Sequence, residues 1–127
     1  MPVQFKMVAK QNNIAKPAQT KFYPCAVSKG TVDLEYIAHT IASQSSLSEA
    51  DCYGVMVAMS TVIGQTLAQG QQVKIESLGT FALSLKGTAA DSPEPLGKNT
   101  IKGIRILYKP SNRLKNILKN VSFKRIY

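Results

Sequence analysis

The sequence predicts an α+β fold that is completed when two copies of the chain associate as a homodimer. Runs of alternating side chains, which are typical of β-strands, start at Val3 and at Val73. Two stretches with helical spacing, which follow Asp33 and Ser48, lie between these runs. The second of these helices is apolar on more than one side, and one small domain rarely encloses such a helix by itself. The chain of 127 residues therefore has the length of one domain, and we expect this domain to need a second copy to bury its apolar surface.

The first 30 residues predict a β-hairpin. Residues 3–10 alternate with the period of two that a strand requires, and a polar segment follows them. Residues 21–27 give a second strand, which Pro24 restricts to the edge of a sheet because proline has no N–H to donate. The alternative is an unstructured basic arm that only adds charge, since residues 1–30 contain five lysines and no acid.

Two helices follow the hairpin. Asp33 is the predicted N-cap of the first helix, which should end near residues 43–46. Ser48 is the predicted cap of the second helix, which runs from about 49 to 69 and stops at Gly70. We expect its apolar sides, together with a residue of the second strand after it, to form the dimer interface, with contributions from Val55, Met59, Val62, Ile63 and Phe81.

The second half of the chain predicts a sheet with a protrusion. Two antiparallel strands follow the second helix, with a tight turn around residues 77–79. Residues 87–99 contain Gly, Pro, Asp and Ser with little apolar content, and they are too many for an ordinary hairpin turn. A return strand over residues 104–108 and a last helix from Pro110 to about Val121 complete the expected order.

The charge of the chain points to an anionic partner. The formal net charge is +9 and the isoelectric point is near 9.7, which favours nucleic acid ahead of a membrane surface. Residues 95–127 carry nine basic side chains and no acid. Apolar side chains recur through this block at regular spacing, so we expect a folded basic surface and not a flexible tail.

Several functional classes are excluded on the sequence. Cys25 and Cys52 are too few for a disulfide scaffold, and His39 has no companion at the spacing of metal ligands. No glycine-rich phosphate loop or nucleophile elbow is present, so we expect no enzyme, no cofactor and no small-molecule substrate. The N-terminus has no apolar signal core, and the charge-free run over 52–73 contains too many polar residues to cross a membrane. These features predict a cytoplasmic protein that does not bind membranes.

Three motifs occur in a fixed order after residue 33. They are Leu-Ser at 47–48, QQVKIESLGTF at 71–81 and YKPSNRLK at 108–115. Over residues 33 to about 119 the chain resembles the HU and integration host factor family of bacterial nucleoid proteins. The resemblance implies an intertwined homodimer in which a helical base carries a β-saddle. It also implies two β-arms that reach around DNA in the minor groove.

We therefore predict an architectural, histone-like protein that binds double-stranded DNA with low sequence specificity. We assign residues 1–30 to an N-terminal β extension and residues 31–127 to the HU-like DNA-binding domain. Lysine and arginine suit this function because they neutralise phosphates and release counterions without reading bases. The predicted DNA-binding side chains lie on the outer strand face, in the arm and on the last helix, and are Lys86, Lys98, Lys102, Arg105, Lys109, Arg113, Lys115 and Lys119.

The arm and the overall function leave alternatives open. Pro93 and Pro95 are candidate wedges between base pairs, and the alternative is that they stiffen a turn. Asp91 and Glu94 place negative charge at the same tip, which favours a second function in which the fold serves as a protein-interaction or scaffold module. RNA binding is a third possibility, which the small number of aromatic side chains opposes.

Overall fold

The computed structural model describes residues 2–12, 14, 19–87 and 100–127. Its elements in chain order are β1 (Val3–Asn12), β2 (Gln19–Ala26), α1 (Leu34–Ser43), α2 (Glu49–Ala68), β3 (Val73–Ile75), β4 (Gly79–Gly87), β5 (Ile101–Pro110), α3 (Asn112–Ile117), a 3-10 turn (Leu118–Asn120) and β6 (Phe123–Arg125). The predicted α+β class with two principal helices is confirmed. The chain divides into two compact units, residues 34–117 and residues 1–33 with 118–127. The functional division into residues 1–30 and 31–127 stays a prediction.

The terminal unit contains a three-stranded sheet with the order β2-β1-β6. β1 and β2 pair antiparallel from Phe5 opposite Ala26 to Lys10 opposite Lys21 and beyond, which confirms the predicted hairpin. Pro24 lies in β2 at the edge of the sheet, as its missing N–H requires. β6 pairs parallel with β1 and was not predicted, because three residues with two charges among them give no alternation.

Both ends of α2 carry caps that the sequence predicts. The hydroxyl oxygen of Ser48 accepts a hydrogen bond of 3.1 Å from the backbone N–H three residues later. At the other end Gly70 has a φ of +85°, and its N–H donates to the Leu67 carbonyl at 3.0 Å. The N–H of Gln71 donates to the Thr66 carbonyl at 3.3 Å, which completes a Schellman motif.

The core of the described chain is small. Ala38 of α1 and Cys52 and Leu67 of α2 are its buried apolar residues. α1 packs against α2, and α2 packs against β3 and β4. Both helices still leave large apolar side chains in solvent, which means that the described chain alone does not bury their apolar surfaces.

The sheet of the central unit has the order β3-β4-β5, with all neighbours antiparallel. Residues 76–78 form the turn between β3 and β4, and the Leu78 N–H donates to the Ile75 carbonyl at 3.0 Å. β5 is longer than the predicted return strand. A register shift between Lys86 and Gly87 leaves Lys102 as an extra residue in β5 without a partner in β4.

The last helix is shorter than predicted and starts later. Pro110 ends β5, and the Ser111 hydroxyl oxygen caps α3 by accepting a hydrogen bond of 3.2 Å from the Leu114 N–H. The predicted continuation to Val121 is wrong. The Ser122 carbonyl accepts a hydrogen bond of 2.8 Å from β1, so the backbone there is committed to the terminal sheet and cannot remain helical.

Gly79 allows the first residues of β4 to approach the end of β5 closely. Its φ is +149°, a backbone conformation that residues other than glycine rarely adopt. A Cβ atom at this position would overlap the Lys109 carbonyl oxygen and lie 2.7 Å from a ring carbon of Tyr108. The Tyr108 hydroxyl in turn donates a hydrogen bond of 2.8 Å to the Leu78 carbonyl. The glycine therefore fixes the pairing at the base of the sheet.

We expect Gly79→Ala to destabilise the fold by more than about 2 kcal/mol, because backbone strain of about 1–3 kcal/mol adds to the overlap with β5. Gly70→Ala is the matched control, because its φ is also positive but no heavy atom lies within 4 Å of the place that an alanine Cβ would take. The control should lose only about 1 kcal/mol. Urea denaturation of both variants measures the difference, and equal losses would contradict the close approach.

Candidate nucleic-acid interface

The β3-β4-β5 sheet has one apolar face. Residues that pair across neighbouring strands point to the same side of a sheet, so the register assigns each side chain to a face. Val73, Phe81 and Tyr108 form one such row, and the Phe81 and Tyr108 ring centroids are 5.1 Å apart. The apolar residues of this face are Val73, Ile75, Phe81, Leu83, Leu85, Ile104, Ile106 and Tyr108.

The opposite face of the same sheet carries basic side chains, and we call it the basic sheet face. Its rows are Lys74–Thr80–Lys109, Ala82–Leu107, Ser84–Arg105 and Lys86–Gly103. The structure therefore brings together three residues that the sequence singles out, Lys86, Arg105 and Lys109. Lys74 joins them and was missed. The signal was present, because Lys74 lies between the apolar Val73 and Ile75 in a short alternating run.

An open groove of about 590 Å³ lies at one end of this face. Lys74 of β3, Lys109 of β5 and Lys115 of α3 line it, together with the acidic Glu76. Ser111 holds α3 beside the sheet, because its hydroxyl donates a hydrogen bond of 3.1 Å to the Ser77 carbonyl. The groove thus collects basic side chains from two strands and a helix.

The basic side chains of the groove have no acidic partner in the described part of the chain. The ion pair that the described residues form lies away from the groove, between α1 and α2. It joins His39 Nδ1 and Glu49 Oε2 at 3.2 Å, and both side chains are largely exposed. Lys74, Lys109 and Lys115 are exposed and form no ion pair with a described carboxylate. Their charge is therefore available to an anion from solution.

The remaining predicted DNA-binding residues are not all brought to this face. Arg113 is exposed on α3. Lys102 is the extra residue of β5, and because it has no partner in β4 the register does not assign its side chain to either face of the sheet. Lys119 lies in the 3-10 turn and belongs to the terminal unit. The arm residues Lys98, Pro93 and Pro95 lie outside the described residues.

The predicted dimer residues lie on α2 and β4. Val55, Met59 and Val62 are exposed, whereas Ile63 and Phe81 are half-buried. Val55 and Val62 are seven residues apart, and Met59 lies between them at helical spacing, so the three share one side of α2. This side of α2 is an apolar surface that no other part of the described chain buries.

The described cysteines and potential metal-ligating side chains form neither a disulfide nor a metal-binding group. Cys25 is half-buried and Cys52 is buried, and neither forms a disulfide. No group of three or more potential metal-ligating side chains occurs among the residues that the structure describes. No helix in the described ranges has both the length and the apolar character needed to cross a membrane.

One solved structure is similar to this chain over almost its whole length. A Bacteroides vulgatus crystal structure, provisionally described as a bacterial DNA-binding protein, matches with a TM-score of 0.73 and 14% identity. The match covers 98% of this chain and 48% of that chain, so the protein spans about half the length of this structural relative. At this identity the match shows the fold alone. The search of curated proteins found no match.

The family comparison covers nearly the whole chain. A family model described as an HU domain fused to a wHTH, Ig or glycine-rich motif matches residues 1–125. The match includes the N-terminal strands as well as the segment whose motifs resemble HU. The protein therefore belongs to the HU-HIG family.

Proposed function

We propose that the protein binds double-stranded DNA through the basic sheet face as an architectural protein of low sequence specificity. The observation that carries the proposal is the strand register, which places Lys74, Lys86, Arg105 and Lys109 on one face and the apolar side chains on the other. Membership of a family of HU domains supports it, as does the provisional DNA-binding description of the structural relative.

The chemistry of the face favours contacts to phosphates over the reading of bases. Lysine and arginine heads on a sheet surface neutralise phosphates and release counterions, and such contacts carry no direct sequence code. The groove lined by Lys74, Lys109 and Lys115 continues the same surface onto α3, which carries Arg113 as well. We extend the proposal to Lys98, Lys102 and Lys119, and keep Pro93 and Pro95 as candidate wedges beside the alternative that they stiffen a turn.

We further propose that the DNA-binding form is a homodimer built around α2. Val55 is 63% and Val62 58% exposed, although valine is among the residues most often buried in folded proteins. Ile104 and Ile106 on the apolar face of the sheet are likewise 59% and 65% exposed. A second copy that covers these surfaces would supply the core that the described single chain lacks.

The DNA proposal is tested with two variants in one groove. Lys74→Gln should weaken binding and flatten the slope of log K against log salt by about 0.9 per chain, since one phosphate contact is lost. Glu76→Gln, two residues away, should strengthen binding because it removes a carboxylate that repels phosphate. Fluorescence titration of duplexes with different sequences measures both effects, which should be alike on every duplex.

The opposite result would favour the scaffold alternative. An affinity that does not change with salt, or equal small effects from Lys74→Gln and Glu76→Gln, would contradict phosphate binding at this face. Tighter binding to single-stranded RNA than to duplex DNA would favour the RNA alternative.

The dimer is tested at Val62. Sedimentation at micromolar concentration should give about twice the 13.8 kDa of one chain. Val62→Asp should dissociate or unfold the protein, because it would place an unpaired charge in the interface. In a monomer the same exposed position would change stability by no more than about 0.5 kcal/mol.

Thr61→Asp adds the same charge at an exposed polar position of α2, about 100° or more around the helix from Val55, Met59, Val62 and Ile63, and should leave the dimer intact. A wild-type chain that sediments as a monomer and unfolds cooperatively would overturn the dimer.

A further inference from the structure

Most of the net charge lies outside the sheet that we propose as the DNA-binding face. Residues 34–117 contain eight basic and six acidic side chains, which leaves a net charge of +2. The terminal unit, residues 1–33 and 118–127, contains eight basic side chains and one acid, which gives +7. The unit without the HU-like motifs is therefore the strongly basic one.

The register of the β2-β1-β6 sheet sorts this charge onto one face. Gln4 pairs with Lys124, Lys6 with Cys25, Val8 with Tyr23, and Lys10 with Lys21, so all of these side chains lie on the same side. Four of them are lysines, and all four are exposed; we call this the N-terminal lysine face, formed by Lys6, Lys10, Lys21 and Lys124.

The other face of the same sheet is apolar. Val3, Phe5 and Phe123, with two residues of β2, line an open apolar hollow there. Phe22 also belongs to this face, since its partner Ala9 is in phase with Phe5. The sheet is thus amphipathic, because its lysines are concentrated on one face and are not spread over both.

Two of these lysines repel each other when no anion is bound. Lys10 and Lys21 lie directly opposite each other on neighbouring strands, and like charges in such a pair repel. Together with Gln11 and Tyr23 they line an open hollow of about 450 Å³. The Lys10 Nζ lies 5.5 Å from the centre of the Tyr23 ring, whose face attracts a cation. An anion bound between the two ammonium groups would remove their repulsion.

The spacing of the lysines fits a polyanion better than a single small anion. Lys6 and Lys10 are four residues apart on β1, which corresponds to about 13 Å along a strand. This distance is comparable with the ~12 Å width of the major groove of B-DNA, which phosphates line on both sides. Lys124 extends the basic surface across β1 to the third strand.

We infer that the N-terminal lysine face is a second contact surface for the phosphate backbone of duplex DNA, separate from the basic sheet face. It is built from strands outside the HU-like motifs and needs no residue of the β3-β4-β5 sheet. The inference goes beyond the proposed function, because either surface could bind duplex without the other.

The first test removes three of the lysines in the full chain. The triple variant Lys6→Gln, Lys10→Gln and Lys21→Gln should flatten the salt slope by about 2–3 per chain, at about 0.9 for each lost contact. Without DNA the same variant should melt no lower than the wild type, because the lost repulsion between Lys10 and Lys21 offsets the lost contact between Lys10 and the Tyr23 ring. This second readout separates lost binding from lost folding.

Adjacent residues of β6 provide the matched control. Lys124 lies on the lysine face, whereas Arg125 pairs with Phe5 and lies on the apolar face. Each glutamine substitution removes one positive charge from the same strand. Lys124→Gln should flatten the slope by about 0.9 and Arg125→Gln should leave it unchanged. Equal effects would overturn the inference, because they would show that only total charge matters.

A variant of the other sheet keeps the two proposals distinguishable. Arg105→Gln with Lys109→Gln tests the basic sheet face alone. If that variant binds like the wild type and the lysine-face triple variant does not, the proposed function fails and the inference stands. If the triple variant keeps the wild-type slope on duplex DNA, or loses affinity only for anionic lipid vesicles, the inference is overturned.

Discussion

The antiparallel register between β4 and β5 is the constraint on which the central unit depends. The side-chain period of a strand is two, so a slip by one residue would exchange the basic and apolar faces completely. Gly79 and Tyr108 hold the register at one end, where the backbones of the two strands meet. The irregularity at Lys86 and Gly87 comes only beyond the last basic row, so it does not disturb the faces below it.

The sequence predicted the elements whose signals are local. Ser48 and Gly70 end α2 as expected, because a cap depends on the side chain or backbone freedom of one residue. Alternation placed Arg105 and Lys109 on one face before any pairing was known. The same rule applies to Lys74, which lies between Val73 and Ile75 and was overlooked in this short run.

The parts that could not be predicted depend on contacts distant in sequence. β6 exists because β1 offers a free side for pairing, and nothing within Phe123–Arg125 itself indicates a strand. The end of α3 follows from the same pairing, since Ser122 is already bonded to β1. The basic block at residues 95–127 is divided between the two units, with residues 95–117 in the central unit and 118–127 in the terminal unit, and the chain order alone does not reveal this division.

The pairing of β1 with β6 has a consequence for how the protein is made. The N–H of Val3 donates to the Ser122 carbonyl, and the N–H of Ile126 donates to the Phe5 carbonyl, each at 2.8 Å. Nearly the whole length of the chain separates these partners, and contacts of such long sequence separation form slowly because loop closure costs entropy. During synthesis on the ribosome β1 and β2 emerge before β6, and β1 keeps one side unpaired until β6 follows. The terminal sheet is therefore completed only after the whole central unit has been translated.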